Sequence, residues 1–116
     1  MKNPIVKLDT RRIRDWSTFH DVFAEVFGFP DFYGRNMSAW IDCLTYVDEP
    51  GDAMTSIHAP PDGVLVIQLD HVDDFAVRCP DLYAAIIECA AFVNWRRIEM
   101  GHEPVLSLSF HKTPPR

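Results

Sequence analysis

The chain has 116 residues, with 17 acids against 11 bases, a formal charge of −6 and a pI near 5.2. That length points to a single domain spanning 1–116, large enough to bury its own core, and 47% hydrophobic with 24% charged residues excludes intrinsic disorder. An acidic surface repels phosphate backbones, which argues against direct binding of nucleic acid.

Residues 4–8, PIVKL, read as a first strand, followed by a basic turn over 9–15. Ser17 reads as a helix N-cap, because its hydroxyl can accept an orphan amide of the first turn. Behind it Phe19, Val22, Phe23, Val26 and Phe27 recur at i, i+3, i+4, i+7 and i+8, one apolar stripe of an amphipathic helix. Gly28 suits the left-handed position that ends a helix, and Pro30 stops any continuation. The short loop 31–35 carries two aromatics, Phe32 and Tyr33, more than a turn needs. Asn36 can cap a second helix over 37–45. On it Met37, Trp40 and Leu44 share an inward face, and Ser38, Ile41, Asp42 and Thr45 form a second, mostly polar stripe with Asp42 at its centre.

Residues 46–63 hold three prolines and two glycines and read as a long loop, a kind of segment that is usually functional or mobile. The run VLVIQL, 64–69, is rich in β-branched residues and suits a central strand. A short helix is expected around 72–78, and Pro80 can open a longer one at its first position. That helix carries an apolar stripe of Leu82, Ile86, Cys89 and Val93. Its last turns hold Arg96 and Arg97, whose charge suits the helix C-terminus, and Gly101 closes it. VLSLSF, 105–110, reads as a third strand and 111–116 as a tail. Strands separated by helices pair in parallel, so the expected class is α/β: a three-stranded parallel sheet packed against helices.

The charge is unevenly placed. Residues 21–81 hold 12 acids and only two bases, Arg35 and Arg78. Taken alone, such a tract is a solvated acidic surface. The opening MKNPIVKLD has neither the apolar run nor the cleavage pattern of a secretory signal, and no segment approaches the roughly 18 apolar residues that span a bilayer. Cys43, Cys79 and Cys89 are odd in number and contain no CxxC, which suits free thiols in a reducing compartment. The expectation is a cytoplasmic protein with no membrane contact.

No phosphate loop, HExxH or GxSxG occurs. His20, His58, His71, His102 and His111 lie in five separate segments. Asp70, His71, Asp73 and Asp74 form the densest set of potential metal ligands, but caps and surface charge explain them as well; Cys43 falls beside the apolar face of its helix, a poor place for a nucleophile. The reading is therefore no enzyme, no metal and no cofactor. A small metal-dependent hydrolase built on residues 70–74 is the enzymatic alternative.

The remaining signal is FPDFYGRNMSAWIDCLT, residues 29–45. The P-D-F-Y-G-R-N loop running without a gap into an A-W-I-D-C-L-T helix resembles the barstar family of intracellular ribonuclease inhibitors. The resemblance implies a barstar-like fold and a basic, barnase-like secreted ribonuclease as protein partner. It implies that the second helix and its preceding loop cover the enzyme's active site, where a helix carboxylate takes the place of a substrate phosphate. Such a site must present positive charge to RNA, and an acidic convex surface can be steered into it by the same field. Position by position, Asp42 matches that carboxylate, Tyr33 a loop aromatic, Asn36 the loop-end asparagine and Thr45 the threonine one turn beyond Asp42. Phe32 keeps a ring where the family has a tyrosine.

Four positions depart from the family's pattern. Ser38 replaces an acid, Ile41 and Val47 replace tryptophans, and Arg96 falls near an acidic position of the last long helix. The expected partner-binding set is thus Phe32, Tyr33, Asn36, Ser38, Ile41, Asp42 and Thr45; Asp48, Glu49 and Asp52 of the long loop, which looks like an insertion, are either replacement charge or simply solvated acids. The alternative is a barstar-fold binding module for a different basic protein, without nuclease inhibition.

Overall fold

Three short parallel strands carry the fold: β1 (Ile5–Asp9), β2 (Leu65–Asp70) and β3 (Leu106–Phe110), neighbours in that order. Ile5 sits opposite Val66, and Leu65 opposite Leu106. This computed structural model describes residues 3–115; of the expected tail, Arg116 lies outside the described residues. β2 is central, as its apolar run predicts, and alternates between fully and half-buried side chains. Among the described residues four α-helices join the sheet: α1 (Trp16–Phe27), α2 (Met37–Thr45), α3 (Val72–Arg78) and α4 (Pro80–Glu99). The α/β class and the three-stranded parallel sheet are those read from the sequence.

The stripe on α1 packs as its spacing predicts. Phe19, Val22, Phe23 and Phe27 are buried, and Val26 half-buried. Phe23 meets Trp40 of α2 edge-on, with ring centroids 5.6 Å apart at 76°. Each such side chain, fully buried, stabilises the fold by roughly 1.5–3 kcal/mol. The start of α1 differs from the expectation. Asp15, not Ser17, is the N-cap, in a reciprocal arrangement with Thr18: Asp15 Oδ1 accepts from the Thr18 amide at 2.8 Å, and the Asp15 amide donates to Thr18 Oγ1. A charged carboxylate at the positive end of the helix outcompetes a hydroxyl two residues later. The basic turn before it contains a single 3₁₀ turn, Thr10–Arg12.

The segment 46–63 is not a loose loop. It contains a 3₁₀ turn, Pro50–Asp52, and is tied down at both sides. The Ser56 amide donates to the Phe27 carbonyl at 2.8 Å, and the Ala59 amide to the Val47 carbonyl at 3.0 Å. Val47, Thr55 and Ala59 are buried, and Met54 and Ile57 pack against the core. Alternating apolar residues inside a Pro-rich tract thus lay it across the core as a cover.

Candidate functional site

α2 begins at Met37 because Asn36 caps it. Its Oδ1 accepts from the Ala39 amide at 2.8 Å, while its Nδ2 donates back to the Gly34 carbonyl. The preceding loop is stapled to α1 by Arg35, which donates to Asp21 Oδ1 at 2.8 Å and to the Ser17 carbonyl at 3.0 Å. Arg35 itself takes the left-handed backbone region, φ 55°. Trp40, Cys43 and Leu44 are buried, so α2 presents the opposite face outward.

That outer face brings part of the expected set together. Ser38 and Asp42, one turn apart, are exposed, and Ile41 is half-buried between them and the core. Asn36 is exposed at the N-terminal end of the face, and Phe32 projects with 77% of its surface free. Two expected contact residues are turned inward. Tyr33 is only 9% exposed, packed 4.7 Å from the Phe29 ring, with its hydroxyl 2.5 Å from His20 Nδ1. Thr45 is 0% exposed and its hydroxyl donates to the Ile41 carbonyl at 2.6 Å, so it serves the helix and presents nothing to a partner. Val47 is likewise core, which removes it from the surface altogether.

The charges around this face are arranged by α4. Arg96 donates to Asp42 Oδ1 at 2.6 Å, across 54 residues of sequence. The pair is open to water, with the Asp42 side chain 53% exposed, and such pairs contribute only about 0–1 kcal/mol. Arg97, one residue on, is buried. It donates to both carboxylate oxygens of Asp48 at 2.9 and 2.7 Å, and to the Thr45 and Glu103 carbonyls at 2.8 Å each. Asp48 is therefore committed to locking the end of α4 to the chain leaving α2. It is not spare charge for a partner, whereas Glu49 and Asp52 remain exposed. The charge of Arg97 suits the helix C-terminus, as its place in the last turn implies, but its burial does not follow from that charge. Its position 11 residues after Ile86 on the same buried stripe is the signal that was present.

Beneath the loop, His20 is buried between Trp16, Phe19 and Tyr33. Burial first, and the positive Arg35 second, hold its pKa below the ordinary 6.5. Burial also raises the Tyr33 hydroxyl. A lowered histidine pKa means that the unfolded chain takes the proton first, so stability falls as pH drops below about 6.5. Urea unfolding at pH 7.0 and pH 5.5 should show this loss in the wild type, and a smaller loss in His20→Gln. Equal losses would exclude His20 as a source.

Cys43 is buried, and its thiol is pushed up to about 11 by burial and then by the neighbouring Asp42 charge. A thiol so placed stays protonated at neutral pH and is a weak nucleophile. The acids at and after the end of β2 are already bonded: Asp73 accepts from the Thr113 amide and hydroxyl, Asp74 pairs with Arg78, and Asp70 accepts from Gln68. Among the described residues no group of three or more His, Cys, Asp or Glu side chains is placed to hold a metal ion. No helix among them is long and apolar enough to cross a membrane.

The outer face of α2 thus presents Asp42, exposed and paired at one oxygen with Arg96, beside Ser38 and Ile41. A stretch of 44 residues, 37% of this chain, is 43% identical to the Bacillus subtilis (strain 168) protein named "Putative ribonuclease inhibitor YrdF". The match spans about half the length of that relative, 48%. The family model described as "Barstar (barnase inhibitor)" matches residues 3–106. With nearly the whole sheet-and-helix framework inside that match, the chain belongs to the barstar family.

Proposed function

We propose that this chain inhibits a barnase-like secreted ribonuclease by seating the outer face of α2, and the loop before it, over the enzyme's basic cleft. The observation that carries this reading is the exposed Asp42 carboxylate on the outer face of α2, held in place at one oxygen by Arg96. A carboxylate on a rigid helix can occupy the place of a substrate phosphate without the ordering cost of a flexible chain. The acidic tract around it draws a basic partner in and speeds association. Family membership and the ribonuclease-inhibitor name of the relative support the same partner class.

Titration of a barnase-type ribonuclease, read by RNA cleavage, tests the reading. Asp42→Ala should weaken inhibition by about 2 kcal/mol or more, roughly 30-fold, as for a central interface residue. A loss under about 1 kcal/mol, the worth of an exposed pair, would remove Asp42 from that role. Raising salt from 50 to 500 mM should slow association and leave dissociation little changed.

A second reading rests on Arg96. Its charge half-neutralises the one carboxylate the mechanism needs, which suits a barstar-fold module for a different basic protein. In that case binding to a non-nuclease partner is tight, Asp42→Ala still weakens it, and RNA cleavage by the ribonuclease is untouched.

A further inference from the structure

The outward face of α4 is apolar in a way a solvated helix does not require. Phe92 and Trp95 are 52% and 58% exposed, and with Arg96, Glu99 and Met100 they line a groove open to solvent. Glu88 lies one turn before Phe92 and is exposed on the same face. Aromatic side chains, Met and Arg are the types enriched in interface cores, and an apolar floor with a charged rim marks a docking surface.

Arg96 makes this groove continuous with the α2 face, because the same side chain lines the groove and bonds Asp42. We infer that the groove of α4 is the apolar anchor site for the same basic partner that seats on Asp42, so that one partner spans both helices. This rests on the ribonuclease reading above and supplies what that reading lacks. On the α2 side the apolar contacts are the half-buried Met37 and Ile41 and a single exposed aromatic, Phe32 of the preceding loop, while tight interfaces are dominated by a cluster of a few aromatic anchors.

Charge selects the occupant. The acids beside the apolar floor are Glu88, Glu99 and Asp42, and the one base among them, Arg96, is already paired with Asp42. A basic surface carrying an apolar side chain complements that rim. A second copy of this chain, at −6, would bring the same acids against one another.

The test uses barnase as probe and full-length chain throughout, with RNA-cleavage inhibition and sedimentation velocity as readouts. The Phe92→Ala/Trp95→Ala double variant should weaken inhibition by tenfold or more, while Val77→Ala, exposed on α3 away from the groove, should leave it unchanged. Both substituted side chains are solvent-facing, and a thermal melt checks that the double variant keeps its fold. If the double variant inhibits as the wild type does while Asp42→Ala fails to, the anchor site is overturned and the inhibitor function stands. If the wild type sediments as a dimer that the double variant abolishes, a second copy covers the groove and the inference is overturned. If the wild type neither binds nor inhibits barnase, the ribonuclease reading falls, and this inference with it.

Discussion

Arg97→Met is expected to lower the free energy of unfolding by about 3–5 kcal/mol, the range for removing one partner of a buried ion pair. The guanidinium is buried, and the substitution strands both the Asp48 carboxylate and the Thr45 and Glu103 carbonyls. The loss comes from those stranded acceptors more than from the attraction itself, since the half-buried Asp48 carboxylate and the two carbonyls lose their donors with little water at hand to replace them. Urea unfolding at pH 7 measures it. The double variant Arg97→Met/Asp48→Leu should recover part of the loss, because it removes the orphaned carboxylate as well. Equal stability of the single and double variants would show that Asp48 reaches solvent on its own. The pair joins α4 to the chain leaving α2, so Arg97→Met should also loosen the neighbouring Arg96–Asp42 contact and weaken partner binding.

Gly28→Ala should cost about 2–5 kcal/mol by the same measurement, more than a helix-end glycine usually does. Gly28 lies at φ 67°, where an added Cβ alone costs about 1–2 kcal/mol. A Cβ there would also fall 2.0 Å from Ser56 Oγ and 2.6 Å from Ser56 Cβ. Rotating the serine hydroxyl away leaves the second clash, so the backbone at Ser56 must shift, and overpacking of this kind costs about 1–3 kcal/mol. Ser56 donates from both its amide and its hydroxyl to the Phe27 carbonyl, so the shift would also release the 46–63 cover from α1. Gly28→Ala/Ser56→Gly should restore part of the stability. If it does not, the left-handed backbone is the whole effect.

Much of the framework was legible in the chain. The helix ends at Asn36 and Gly28 are legible because a cap is satisfied within three or four residues of itself, and the start at Pro80 because its fixed φ and missing N–H suit a first helical position. The stripe Phe19 to Phe27 and the run VLVIQL announced their elements by period and branching. Ser17 has the chemistry of a cap but not the place, because Asp15, two residues earlier, offers the better acceptor. The segment 46–63 is the long irregular stretch that its Pro and Gly content announces, but that content does not say whether it packs.

The site was legible as a motif and less so as a surface. Residues 29–45 by themselves established the loop, the helix and the outward Asp42, since helical spacing places Ser38 and Asp42 on one face. They did not tell that Tyr33 and Thr45 point inward, because that depends on His20 and on the covering chain and α4. Nor did they tell that Asp42 meets Arg96, or that Asp48 meets Arg97. Those partners are 54 and 49 residues apart, and only the packing of α2 against α4 brings them within hydrogen-bond reach. Local order follows from hydrogen bonds and apolar period within a few residues. The fate of each charge follows from which helices the shared core presses together, which no local pattern encodes.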